Sequence, residues 1–296
     1  MGNVIVLAKR SMLLFIRDRA AVFFSFLSSI IIVALYLMFI AKLYSEGMSR
    51  SEYIASHFAK PALDFVVYTQ MMAGVLIINS WSLSIGVFST IVKDFETRRV
   101  DSFQLTPATA PQLILSYFGS GFLVSFLLNI FTWLISFILI GALTGYRVSI
   151  ETFFAVIGVC ALASLVSCAV MMMLTAIIKS SAAIGVMAGV SGTFFGFLCG
   201  IYLPFSNLGK GMEMAGSVLP FTHLTIWMKE IVLGDAYSQL GIPGELKSVM
   251  NENFSAANVG FLSFDIPLWT MLLYTAAFAV ICFAVSGVLT RRRLAR

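Results

Sequence analysis

Residues 152–178 read TFFAVIGVCALASLVSCAVMMMLTAII, 27 consecutive positions without one charged side chain. A hydrocarbon core about 30 Å thick is crossed by roughly 20 apolar residues in a helix. The stretch from Thr152 to Ile178 is therefore long enough to span a bilayer and too uniformly apolar for a half-exposed helix. Working outward, segments of the same kind lie at about Ala20–Ala41, Thr69–Val92, Leu113–Leu143, Ala182–Leu203 and Leu268–Leu289. The expected fold is an all-α membrane protein, a bundle of six transmembrane helices forming one domain over residues 1–296. Leu113–Leu143 is longer than a perpendicular span requires, so its cytosolic end is expected to tilt or to lie at the interface.

The composition agrees with lipid as the solvent. Hydrophobic residues make up 59% of the chain and charged residues 11%, too little polar surface to coat a soluble domain of this length. Cys160, Cys168, Cys199 and Cys282 all fall in apolar stretches without C-x-x-C spacing, which argues against a disulfide framework. The net charge of +5 invites a nucleic-acid reading, but the basic residues form no aromatic-interleaved groove. They set topology instead, because cytoplasmic loops carry an excess of Lys and Arg. Twelve basic residues fall on the side of both termini: Lys9, Arg10, Arg17, Arg19, Lys93, Arg98, Arg99, Lys179, Arg291, Arg292, Arg293 and Arg296. Seven fall on the other side, spread over far more loop: Lys42, Arg50, Lys60, Arg147, Lys210, Lys229 and Lys247. Both termini are expected in the cytosol.

Val4 to Arg17 mixes apolar residues with Lys9, Arg10 and Arg17, the makeup of a helix lying in the headgroup plane; a cytosolic extension of the first span is the alternative. The first span is too long for the apolar region of a signal peptide and lacks an A-x-A exit. In the fifth span Gly185, Gly189, Gly192, Gly196 and Gly200 share one helix face, a pattern that lets helix backbones approach closely. That face suits a neighbour within the subunit as well as a dimer seam or a moving gate. Between Pro204 and Pro267 the apolar stretch Ser217–Leu233, bounded by Gly216 and Gly234, contains Pro220, His223, Lys229 and Glu230. Crossing the bilayer with those groups is costly, so a short re-entrant or interfacial helix pair on the outer side is expected.

Enzyme chemistry is missing. The nearest approach to a phosphate-cradling loop is Gly209-Lys210-Gly211, without the first Gly or the final hydroxyl. His57 and His223 are far apart with no metal-ligand spacing, and no G-x-S-x-G elbow occurs. No catalytic residue and no metal site is expected. The six segments contain no Asp, Glu, Lys, Arg or His, the relay groups that ion-coupled carriers place within the bilayer. Gln70, Asn79 and Asn129 read as interhelical hydrogen-bonding groups. If the chain transports anything, its energy source lies elsewhere.

The second cytosolic loop, from Lys93 to Pro107, is charged at one end and apolar at the other. As a short helix ended by Pro107 it would present Phe95, Arg99 and Phe103 as knobs that a soluble partner could grip; as a solvated connector it would only join two helices. Here the residues carry a resemblance. The loop, closing in Phe103-Gln104-Leu105-Thr106-Pro107, resembles the segment after the second span in the ABC-2 family of ATP-binding-cassette exporter permeases, although Val100-Asp101 stands where the family often has Gly-Thr. Gly200-Ile201-Tyr202-Leu203-Pro204-Phe205 and Leu219-Pro220-Phe221-Thr222-His223, followed by Lys229 and Gly234, are similar to the family's outer re-entrant region. Arg17-Asp18 before the first span is similar as well.

The resemblance implies a permease subunit in a bacterial cytoplasmic membrane, paired with a second permease subunit and two copies of a cytosolic ABC ATPase. ATP and Mg would bind that ATPase, with no cofactor on this chain. Glu96, Arg98, Arg99, Asp101, Phe103, Thr106 and Pro107 are the residues expected to couple to it, and Pro204, Phe205, Pro220, Thr222 and His223 those expected at the outer gate. The abundance of Phe, Met and Leu favours an amphipathic or apolar cargo, such as a drug, a peptide or a lipid-like compound, though lipid-facing helices use the same residues. A stand-alone channel or carrier, a membrane-embedded enzyme, and an immunity or sensor subunit of the same architecture are the rival functions.

Overall fold

The computed structural model describes residues 2–49, 58–100, 109–178, 180–201, 209–254, 260–261, 264–265 and 267–294. Nearly all of them are helical. The chain opens with α1 (Gly2–Arg17) and α2 (Arg19–Leu35), and α2 runs on through a π-helical turn at Tyr36–Ile40 into α3 (Ala41–Ser49). Then follow α4 (Lys60–Glu96), α5 (Ala110–Thr144), α6 (Ile150–Ile177) and α7 (Ser181–Leu198). Three shorter helices, α8 (Lys210–Ser217), α9 (Pro220–Gln239) and α10 (Gly244–Phe254), precede a two-residue hairpin of β1 (Gly260–Phe261) and β2 (Phe264–Asp265). The last helix is α11 (Leu268–Leu294).

Five of these helices are long and apolar enough to cross a membrane: α4, α5, α6, α7 and α11 over Trp269–Arg291. The expected first span is α2, 17 residues, continued by the π turn. The expected second span proves to be the middle of a longer helix, because α4 begins at Lys60, well before Thr69. Pro61 supplies the start, since a proline in the first turn has no N–H to leave unsatisfied and its fixed φ suits a helix. At its other end α5 starts with a full capping box, Thr109 and Gln112 exchanging side-chain and backbone bonds. Its last turn closes on Gly145 at φ 76°, the left-handed position that glycine adopts without a Cβ clash.

Helix α4 is the centre of the bundle. Phe65, Val66, Met72, Val75, Phe88 and Val92 along it are fully enclosed, packed by α5, α6, α7 and α9. Lipid provides no hydrophobic force between helices, so close packing and buried hydrogen bonds must hold them. Both are present. A Cβ on Gly121 of α5 would come within 2.5 Å of the Phe88 ring, and one on Gly74 within 2.5 Å of Ile201. Asn79 Nδ2 donates to Asn129 Oδ1 at 3.1 Å and to Thr132 Oγ1 at 3.0 Å, and Asn129 Nδ2 donates to Ser80 Oγ at 2.7 Å. Ser84 of α4 reaches Ser125 of α5 and Cys168 of α6, each at 3.4 Å. Asn79 and Asn129 thus bond across α4 and α5 as expected, whereas the buried Oε1 of Gln70, the third amide expected to do so, meets no hydrogen-bond donor among the described residues.

Helix α7 is the opposite case, with most of its surface uncovered. Phe195 packs its ring against Trp81 and Phe221, and Trp81 Nε1 donates to Ser191 Oγ at 2.9 Å. A Cβ at Gly185, Gly189 or Gly192 would meet nothing within 4 Å. Among the described residues, those three glycines therefore do not mark a close helix crossing. Gly196 and Gly200 are buried at the end of the helix.

Candidate functional site

Each end of the bundle gathers charged groups. At one end, called here the basic end, lie Arg10 and Arg99. Over the last three turns of α4, Val87, Ile91 and Asp94 follow one another on a single face, and all three are buried. The enclosed carboxylate of Asp94 lies 3.3 Å from Arg10 Nη1 on α1 and 4.0 Å from Arg99 Nη1 just beyond α4. Tyr117 Oη on α5 donates to it at 3.4 Å. A buried carboxylate is costly unless paired and hydrogen-bonded, and here three elements supply the partners.

Backbone geometry brings Arg99 round. After Glu96 the chain turns at Arg98, whose φ of 54° makes it the one non-glycine among the described residues in the left-handed region. That conformation ends the helix as a C-terminal glycine would and returns Arg99 and the buried Val100 to the bundle. The segment begun by Lys93 is thus a helix end, a turn and a short 3-10 piece up to Val100. Asp101, Phe103, Thr106 and Pro107 lie outside the described residues. Glu96, exposed, turns the other way. Its Oε2 accepts the Ser181 backbone N–H at 3.1 Å and the Ser181 hydroxyl at 2.5 Å, at the N-terminus of α7.

At the opposite end α9 packs on α4, α6 and α11. The expected boundary at Gly234 is not one, because α9 continues through it to Gln239. Pro220 occupies the first turn of α9 and is buried with Phe221, Thr222 and His223. Thr222 Oγ1 donates to the Leu198 carbonyl at 3.3 Å. His223 Nε2 donates to the Ser217 carbonyl at 2.8 Å and its ring meets Tyr274 edge-on at 5.1 Å. Burial pushes the His223 pKa down, against the opposing effect of the Ser217 carbonyl, so the neutral ring with one donated bond is the favoured form. Pro204 and Phe205 lie outside the described residues.

Lys229 occupies the middle of α9 and is 1% exposed. Its Nζ donates to the Gly200 carbonyl at 2.9 Å and to the Phe254 carbonyl at 2.7 Å. Both carbonyls close helices, α7 and α10, where the backbone dipoles present negative charge. Burial nonetheless pushes the ammonium down to about 7. Further along α9, Asp235 Oδ2 accepts the Ser149 backbone N–H at 2.9 Å, beside the start of α6. Of the two charged groups in this helix that looked costly to bury, Lys229 is enclosed and Glu230 is exposed.

No group of three or more His, Cys, Asp or Glu side chains among the described residues is arranged to hold a metal ion. The groups gathered at the two ends fix helix ends to one another. Sequence reading missed Asp94, Arg10, Tyr117 and Ser181 as partners at the basic end. The 87, 91, 94 spacing of Asp94 with two apolar residues was the available signal that it faces inward.

These features define a multi-pass helical membrane protein with a charged joint at one end and a helical cap at the other. A family model described as an ABC-2 family transporter protein matches residues 53–288, and the chain belongs to that family. No curated protein matches it.

Proposed function

We infer that the chain is the transmembrane permease subunit of an ATP-driven exporter in a bacterial cytoplasmic membrane. It crosses the bilayer six times, the first crossing being α2 with its π-helical continuation. The basic end and both termini face the cytosol, while α8, α9 and α10 form a re-entrant cap on the outer side. Two copies of a cytosolic ABC ATPase, with their ATP and Mg, drive a pair of permease subunits set among membrane lipids, and the cargo is an amphipathic or apolar compound such as a drug, a peptide or a lipid-like molecule.

The observation that carries this reading is the joint at Asp94. The segment leaving α4 is tied by Arg99 to the same carboxylate that holds α1 through Arg10 and α5 through Tyr117. A push on residues 97–107 by a soluble partner would be felt at once by three helices. Membership of that family supports a partner ATPase, and a sequence in which no phosphate-binding loop is found agrees with the nucleotide being held by that partner.

The test is to purify the tagged chain from its native membrane in gentle detergent and identify soluble proteins that accompany it. An ATPase with a Walker A motif, lost when Arg99 and Phe103 are replaced together by Ala, is the expected result. A chain that comes down alone and still moves solute without ATP would overturn the reading in favour of a channel or carrier.

A further inference from the structure

Helix α7 is gripped at its ends and bare along one face between them. Val186, Val190 and Phe194 are 70%, 54% and 60% exposed. At its first residue, Ser181, the backbone N–H and hydroxyl both donate to Glu96 Oε2, which extends from the last turn of α4. At its last turn Gly200, at φ 62°, closes the helix so that Ile201 N–H returns to the Gly196 carbonyl at 3.0 Å. The Gly200 carbonyl left over by that closure accepts Lys229 Nζ. An anion thus meets the N-terminus of α7 and a basic side chain its C-terminus, the signs that the helix dipole favours. The two side chains come from different elements, and each holds something else as well. Glu96 precedes the turn that positions Arg99, and Lys229 also binds the end of α10.

We propose that Glu96 and Lys229 are positioning residues that latch the two ends of α7, Glu96 tying it to the segment leaving α4 and Lys229 tying it to the α9–α10 cap. Displacement of residues 97–100 is handed to the N-terminus of α7 through Glu96, while Lys229 makes the C-terminus of α7 and the cap move as one body. Ser191, bonded to Trp81 of α4, fixes the middle of α7, so each end responds to its own latch. The purpose given to the latches rests on the permease reading; their geometry does not.

The four cysteines are buried, so introduced surface cysteines can be spin-labelled selectively in the full chain in lipid nanodiscs. One label pair, Ala183→Cys with Leu115→Cys, reports the basic end; a second, Phe194→Cys with Ile150→Cys, reports the cap end. Electron–electron distance distributions are then compared among latch variants. Glu96→Ala is expected to broaden the first distribution about twofold and leave the second unchanged, with Glu96→Gln, which keeps an accepting oxygen, restoring the native width. Lys229→Met is expected to do the converse, with Lys229→Arg restoring it. If Lys229→Met fails to insert, Lys229→Gln replaces it and is expected to broaden the second distribution alone. A variant that leaves its own end as narrow as in the native chain overturns the proposal, and so does one that broadens both ends alike, the sign of general loosening. The labels are read on the chain alone, so failure to recover an ATPase would overturn the export reading and not the latches.

Discussion

Asp94 and Arg10 stand 84 positions apart in the chain and 3.3 Å apart between Oδ2 and Nη1. The pair fastens α1 to the end of α4, although α1 makes most of its contacts with α5. Phe15 reinforces the docking, since it is enclosed with Val87 and Val124. Asp94→Ala removes the partner that Arg10, Arg99 and Tyr117 share, and is expected to weaken the docking of α1 by about 1–3 kcal/mol. Faster tryptic cleavage at Lys9 and Arg17 of the folded chain checks it.

Arg98 sits at φ 54°, where a Cβ costs roughly 1–2 kcal/mol relative to glycine. Arg98→Gly should therefore raise thermal stability in detergent by about 1 kcal/mol, and Arg98→Val should lower it. If Arg98→Gly also weakens recovery of the ATPase, the guanidinium contributes to the coupling surface as well as the turn.

The bonds of Asn79 and Asn129 to each other, Ser80 and Thr132 are buried in the bilayer region. Asn79→Leu or Asn129→Leu should each cost about 1 kcal/mol. The double variant should cost less than the sum, because each single change strands the partner that the other removes. Unfolding in mixed micelles of denaturing and mild detergent measures all three.

Two glycines in different surroundings should respond in opposite ways. Gly121→Ala drives a methyl into the Phe88 ring, 2.5 Å away at Cε2, and should destabilise the fold by about 1–3 kcal/mol. Gly185→Ala meets nothing and should leave the monomer's stability unchanged or raised by up to about 1 kcal/mol, the helix-propensity gain. With α7 at the seam between two permease subunits, Gly185→Ala would instead lower the dimer fraction in light scattering.

Lys229 titrates near 7 because burial disfavours its charge. Between that value and its ordinary one near 10.5 the unfolded chain binds a proton that the folded chain does not, so stability should rise with pH across this window. The penalty is full below about pH 7 and gone above pH 10.5. Thermal unfolding of the native chain from pH 7 to pH 10 should show the rise, and Lys229→Met should flatten it.

Much of the bundle is legible before any coordinates. Uninterrupted apolar runs such as Thr152–Ile178 exist because lipid cannot satisfy exposed backbone groups or solvate charges, so the spans write themselves into composition. The segment around Phe103-Gln104-Leu105-Thr106-Pro107 and the two outer prolines likewise identified the family that the match over residues 53–288 supports. Span ends were harder. Asp64 stands in the first turns of α4 as its hydroxyl partner Ser45 approaches from α3, and no count of apolar residues anticipates a helix running past a carboxylate.

The sequence by itself determined that this chain is a membrane protein, that it is built from long apolar helices, and which segments between them carry the basic residues, because each of those properties is a sum over neighbouring side chains. Tertiary structure alone decided which ionisable groups turn inward and what they hold. Asp94 and Glu96 are two residues apart on one helix, yet one is enclosed by Arg10, Arg99 and Tyr117 and the other reaches out to the start of α7. Lys229 and Glu230 are adjacent, and only the lysine meets the carbonyls of Gly200 and Phe254. Burial of a charge depends on partners brought from distant parts of the chain, and those partners are set by how the helices cross rather than by the order of residues along any one of them.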